Sequence, residues 1–225
     1  MNLIDEPLAN PKTMVRRLMI LRVIGGTLLG ALVLMGWGYS YWDLILPPNT
    51  AFLDSPRQPA LAEALRSHLP KAGTYFIPHD SEEDLLRRAD GKDGKDGKGG
   101  VDREDDPHDT LVKQVKGTIA MIHFAPNGGN PLAPVTWIVS FVHFVLTTLM
   151  ASLLLVFALP VLESYGRRAG FVFAVAAFGI VAFRFTDPAW YRLPWDYFLY
   201  VGLYLITGWL AAALVIAAIV RPRAE

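Results

Sequence analysis

The sequence contains no cysteine among its 225 residues. This absence excludes disulfide bonds, thiolate metal sites and cysteine nucleophiles. Acidic residues are absent from the interiors of the long apolar segments, although proton and cation transporters usually depend on such acids. The sequence also lacks a Walker loop, a nucleophile elbow and a zincin helix. We therefore expect no enzymatic activity, and transport is the weakest of the functions considered below.

Net charge of either sign is absent as well, because 21 basic and 21 acidic residues cancel. No basic face interleaved with aromatic residues stands out, so we expect no nucleic-acid partner. The acids cluster mainly between positions 80 and 109, whereas basic residues flank the apolar segments. Charge therefore bears on membrane topology here rather than on a polyanionic partner.

The sequence is rich in long uncharged runs, and 52% of its residues are hydrophobic. Residues 135–159 carry no formal charge, and a bilayer crossing needs about 20 apolar residues. Three further segments repeat this signal. We predict a membrane all-α fold with four transmembrane helices and a small periplasmic α+β cap between helices 1 and 2. The predicted spans are residues 18–39, 134–159, 170–184 and 195–220.

Basic residues predict the orientation of these spans. Arg16, Arg17 and Arg22 surround the start of the first span, and both the loop 160–169 and the tail 221–225 are net basic. Positive charge is retained in the cytoplasm, so we expect residues 1–17 and 221–225 to be cytoplasmic, with a periplasmic turn at 185–194. A cleaved signal peptide competes with an uncleaved first span, but the apolar run is longer than a usual signal-peptide core.

The segment 40–133 is predicted to form the periplasmic cap. Ser55, Pro56 and Gln58 resemble a helix start, and leucines at 61, 65 and 69 share one face of the helix that would follow. Residues 73–78 and 117–124 are typical of strands, and the second is apolar on both faces, which indicates burial on both sides. Between them, the charged insertion 80–113 is predicted to be a disordered linker.

One polar stripe lies within the second span. Thr136, Ser140, His143 and Thr147 recur at spacings of four, three and four residues, which places them on one helical face. A polar stripe in a membrane helix normally turns away from lipid, and an intramembrane histidine is a functional hypothesis by default. These residues and Arg184 are our candidate ligand-binding residues, with a quinone or a lipid as ligand. The alternative is that His143 hydrogen-bonds to a neighbouring span as packing.

Other candidates carry weaker signals. Gly26 and Gly30, four residues apart in the first span, favour close helix packing within the bundle or a homodimer. The histidines and acids at 79, 80, 108, 109 and 123 lack metal-ligand spacing, so we expect no metal and no cofactor. Arg184 and Asp187 are expected to form an interfacial ion pair or to contact lipid headgroups.

A resemblance rests on Trp42 with Leu46 and Pro47, on Leu69 and Pro70 followed by the run 73–78, and on residues 120–126. With these motifs the chain resembles an uncharacterised family of bacterial four-span inner-membrane proteins that have a periplasmic insert after the first span. The resemblance implies this architecture and a bacterial cytoplasmic (inner) membrane location. It implies no activity.

These observations favour a non-catalytic integral inner-membrane protein, namely an accessory or assembly subunit of a larger membrane complex. The expected partners are the lipid bilayer and a membrane-protein complex. The first alternative is a protein that binds a small molecule, a quinone or a lipid, through the polar stripe of the second span. The second, weaker alternative is a transporter.

Overall fold

The structure, a computed structural model, describes residues 11–46, 50–53, 55–78, 118–130 and 132–222. Its long helices are α1 (Pro11–Tyr39), α3 (Pro134–Ala158), α4 (Tyr165–Arg184) and α6 (Trp195–Ile219). A π-helical segment, Ser40–Ile45, continues α1, and a short 3₁₀ turn, Leu159–Val161, ends α3. The shorter elements are α2 (Gln58–His68), β1 (Gly73–Ile77), β2 (Ala120–Phe124) and α5 (Thr186–Trp190). The predicted insertion 80–113 lies outside the described residues.

Four helices of the described residues are long and apolar enough to cross a membrane, and they contain the four predicted spans except for residue 220. The chain is therefore a multi-pass membrane protein, as its hydropathy predicts. Two helices begin earlier than predicted: α1 begins at Pro11 rather than at residue 18, and α4 begins at Tyr165 rather than at residue 170. The Ser164 hydroxyl accepts a hydrogen bond from the Arg167 backbone N–H at 3.3 Å, which caps the helix. This first turn of α4, which contains Arg167 and Arg168, lies in the predicted loop 160–169.

The chain divides into two units, Met1–Leu53 with Asn130–Glu225, and Asp54–Gly129. In the first unit α1 packs against both α3 and α6, while α4 packs mainly against α6. The four spans thus follow the order α3, α1, α6, α4, with α3 and α4 at the two ends of this row and in some contact with each other.

Glycines allow α1 to approach its two neighbours closely. A Cβ atom at Gly26 would lie 2.8 Å from the Val220 Cγ2 atom of the fourth-span segment. A Cβ at Gly30 would lie 3.0 Å from Ile216 Cγ1 and 3.2 Å from Thr148 Cγ2. Association of helices in lipid depends on such packing, because the hydrophobic effect does not drive it there. The glycine spacing read from the sequence is therefore used within the bundle.

Aromatic residues near the end of α1 also bind α6. The Trp37 indole N–H donates to the Tyr204 carbonyl at 3.1 Å, and the Tyr41 hydroxyl donates to the Tyr200 carbonyl at 2.8 Å. Tyr41 is buried, and its ring centroid lies 5.5 Å from that of Tyr204. These rings therefore join α1 to α6 through hydrogen bonds and ring contacts.

Arginines satisfy backbone carbonyls at the C-terminal end of α6. The guanidinium of Arg168, which is only 6% exposed, donates from Nε to the Ala217 carbonyl at 3.3 Å and from Nη1 to the Glu163 carbonyl at 2.9 Å. Arg22 Nη1 donates to the Arg221 carbonyl at 2.6 Å. The last carbonyls of a helix lack partners within it and carry partial negative charge. Arg22 and Arg168 therefore join α1 and α4 to this helix end.

The second unit contains a two-stranded antiparallel sheet, in which Gly73 pairs with Phe124 and Ile77 pairs with Ala120. The predicted helix starts at Gln58, and none of its residues is buried. The prediction that the second strand is buried on both faces is wrong, because no residue of β2 is fully buried and His123 is exposed. A sheet of two strands leaves little to cover either face.

We expect Gly26→Ala to lower the free energy of unfolding by about 1–3 kcal/mol, because the new methyl group would overlap the stiff, buried Val220 side chain. The matched control is Gly36→Ala, since nothing lies within 4 Å of a Cβ at that position. The control should be neutral or stabilising by up to about 1 kcal/mol. Denaturant titration in mixed micelles measures both, and equal effects would contradict this packing.

We expect Arg168→Leu to destabilise the protein by about 1–3 kcal/mol, because it leaves buried carbonyls without a donor. The adjacent Arg167 is exposed, so Arg167→Leu is the control for the loss of one charge at this end. Thermal unfolding in detergent compares the two. A similar loss of stability in both variants would show that charge, rather than the carbonyl contacts, is what matters.

Candidate functional site

The predicted polar stripe does lie along one face of α3, but that face is not the buried one. Thr136 and His143 are exposed, while Ser140 and Thr147 are half-buried. The expectation that the whole stripe turns away from lipid is therefore wrong for Thr136 and His143. The stripe follows the edge of the helix interface, because α1 covers the neighbouring face of α3.

The buried polar residues of this interface are ones that the sequence reasoning missed. Thr148 and Ser152 on α3 and Thr27 on α1 are all less than 5% exposed. The Thr148 hydroxyl lies 2.9 Å from the Thr27 carbonyl and 2.7 Å from the Phe144 carbonyl, both acceptors. The hydroxyls of Thr27 and Ser152 are buried without a partner in the described structure. Thr148 and Ser152 are four residues apart, which is the signal that could have identified this face.

A groove with a volume of about 80 Å³ opens beside His143. Three helices form it: α3 contributes His143, Phe144 and Thr147, α1 contributes Leu34, and α6 contributes Tyr204, Leu205, Gly208 and Trp209. The Thr147 hydroxyl lies 3.1 Å from the His143 carbonyl of its own helix, where it can donate. The structure thus joins two predicted residues, His143 and Thr147, with Tyr204 and Trp209, which the sequence did not indicate because they belong to another span.

The other candidate residues lie away from this groove. Thr136 and Ser140 are on the same face of α3 but do not line it, and Arg184 belongs to α4. Arg184 forms the expected ion pair with Asp187, with 2.7 Å between Nη1 and Oδ2. Its Nε atom is buried without a partner in the described structure. The pair lies where α4 ends and α5 begins.

The histidine and acid candidates for a metal site are mostly outside the described residues, namely 79, 80, 108 and 109. The remaining one, His123, is exposed on β2, where its Nδ1 lies 3.0 Å from the Thr74 hydroxyl. Within the described parts of the chain, no group of three His, Asp or Glu side chains could hold a metal ion.

One exposed face of α4 carries a second set of small residues. Gly166, Gly170 and Ala174 are spaced by four and are all exposed, and a Cβ at either glycine would meet nothing within 4 Å. This small-residue face lies opposite Arg168 and Val172, which are buried. The sequence reasoning missed it because Gly166 fell in a predicted loop. The sequence feature that could have identified this face is the spacing of four residues, which also separates Gly26 from Gly30.

No protein-family model, no curated protein and no solved structure matches the chain.

Proposed function

We propose that the chain is a non-catalytic accessory subunit of a larger membrane complex and that a partner helix docks on the small-residue face of α4. The observation that carries this proposal is the open space along Gly166, Gly170 and Ala174 on α4, which is one of the two end helices of the row. The proposed setting is a bacterial cytoplasmic membrane, with both termini in the cytoplasm and the Asp54–Gly129 unit in the periplasm.

The exposure of α4 supports an additional neighbour. In the most apolar 18-residue stretch of each span, 11% is buried in α4, against 28% in each of the other three spans. Its buried residues, Arg168, Ala169 and Val172, lie on one side of the helix. The opposite side therefore has no neighbour among the described residues of this chain and is available to another helix.

The bundle itself shows how small residues at this spacing can be used. At Gly26 and Gly30 the neighbouring side chains come so close that a Cβ would lie 2.8 to 3.0 Å from Val220 or Ile216. Gly166 and Gly170 repeat this spacing, with nothing in the corresponding space. Small residues let helix backbones approach closely in a membrane. A second helix that packed on the open surface of α4 would use the same close approach of backbones that joins α1 to α6.

We expect Gly170→Leu to reduce recovery of the partner about tenfold or more, because a leucine side chain would hold the partner backbone away. The fold should persist, since nothing within the chain lies near this position. Gly36→Leu is the matched control, as Gly36 is an exposed glycine with open space on α1. Native purification in mild detergent followed by quantitative mass spectrometry measures the partner in all three proteins.

Four outcomes would distinguish the alternatives. A stoichiometric partner lost only in Gly170→Leu supports the proposal. Loss in both variants, or in neither, contradicts docking on α4. A wild-type chain that purifies alone as a monomer contradicts the accessory-subunit function itself, and a dimer that Gly170→Leu dissociates would identify a second copy as the occupant.

The proposed orientation predicts which residues face the periplasm. Because the sequence has no cysteine, single cysteines at the exposed positions Lys71 and Arg167 can report it without background. A membrane-impermeant maleimide should label Lys71→Cys in intact spheroplasts and Arg167→Cys only after permeabilisation. The reverse pattern would contradict the orientation derived from the positive-inside rule.

A further inference from the structure

We infer that the groove beside His143 binds the carbonyl group of a membrane-soluble molecule. The groove lies between α1, α3 and α6, and its polar side chains are those of Thr147 and Tyr204 together with the ring pair of His143 and Trp209. Neither ring of this pair makes a hydrogen bond to the described part of the chain. This inference is independent of partner docking, because it concerns a different surface and different helices.

The depth of the groove makes these unpaired groups costly. His143 is the tenth residue of α3 and Trp209 the fifteenth of α6, so they lie about 13 Å and about 21 Å along their helices at 1.5 Å per residue. A helix of 25 residues is about 37 Å long, whereas the hydrocarbon core is about 30 Å thick. His143 and Trp209 therefore lie within the hydrocarbon, where an unpaired polar group is unfavourable.

The chemistry of the lining selects a hydrogen-bond acceptor. The Trp209 indole N–H can only donate, and a neutral imidazole at His143 provides one donor and one acceptor. The Thr147 hydroxyl can already donate to carbonyls of its own helix, those of His143 and Phe144, each at 3.1 Å. The groove thus offers two N–H donors and the hydroxyl of Tyr204, and a carbonyl oxygen would accept a hydrogen bond from any of them.

The size of the groove limits which part of a ligand it can hold. Its volume of about 80 Å³ is well below the 300–1,000 Å³ typical of pockets that enclose a whole drug-sized ligand. His143 is exposed on the outer surface of the bundle, so the groove opens towards the lipid. A molecule bound here would insert a carbonyl and a few neighbouring atoms while its remainder stays in the bilayer. Both a quinone ring and the ester of a phospholipid have this chemistry.

Native mass spectrometry of the purified chain tests the site. The chain is titrated in detergent with a short-tailed benzoquinone and, separately, with an ester-linked phosphatidylglycerol and its ether-linked analogue, which lacks the carbonyls. His143→Leu and Trp209→Phe should each weaken binding about fivefold, the effect of one lost hydrogen bond. His143→Gln, which retains a donor and an acceptor, should restore most of the affinity.

Trp137→Phe is the matched control for the tryptophan variant, because Trp137 lies on α3 but does not line the groove. Binding of the benzoquinone with this pattern identifies a quinone-type ligand, and preference for the ester over the ether lipid identifies a lipid carbonyl. The inference is overturned if neither compound binds, if the ether lipid binds equally well, or if His143→Leu and Trp209→Phe bind as the wild type does. The unfolding temperatures of these variants should equal that of the wild type, so that a loss of binding is due to the changed groove and not to a lost fold.

Discussion

The close contact of α1 with α3 and α6 is the constraint on which the remaining structure depends. In a bilayer, lipid tails solvate apolar side chains as well as another helix does, so helices associate through the fit of their surfaces. Gly26 and Gly30 supply that fit, because they leave room for Val220 and Ile216 against the α1 backbone. This contact makes α1 the neighbour of two spans and leaves α4 on the edge, packed mainly on α6.

Both proposed sites follow from this arrangement. The groove exists because α1, α3 and α6 meet at Leu34, Phe144 and Tyr204 without filling the space between them. The open face of α4 exists because none of the other described helices covers it. Polar contacts secure the geometry at the end of α6, where Arg22 and Arg168 bind carbonyls that the helix cannot satisfy itself.

The sequence was sufficient for features set by composition or local spacing. It predicted four apolar helices, because an uncharged run of bilayer length has few other structures. It also predicted the paired strands of the small unit from two short runs with strand propensity. It could not predict which side of each helix is covered, since that depends on neighbours distant in sequence. Thr148 and Ser152, rather than the stripe containing His143, are therefore buried, and Trp209 joins His143 only in the folded chain.

The central claim, that another helix covers α4 in the native membrane, can be tested directly by photo-crosslinking. Phe178 is 75% exposed and lies one turn beyond Ala174, whereas Phe157 on α3 is 83% exposed on another span. A photoreactive phenylalanine analogue would be placed at each position in turn and illuminated in native membranes. The account predicts a discrete protein adduct from position 178 and only lipid adducts from position 157. Lipid adducts alone from both positions would contradict it.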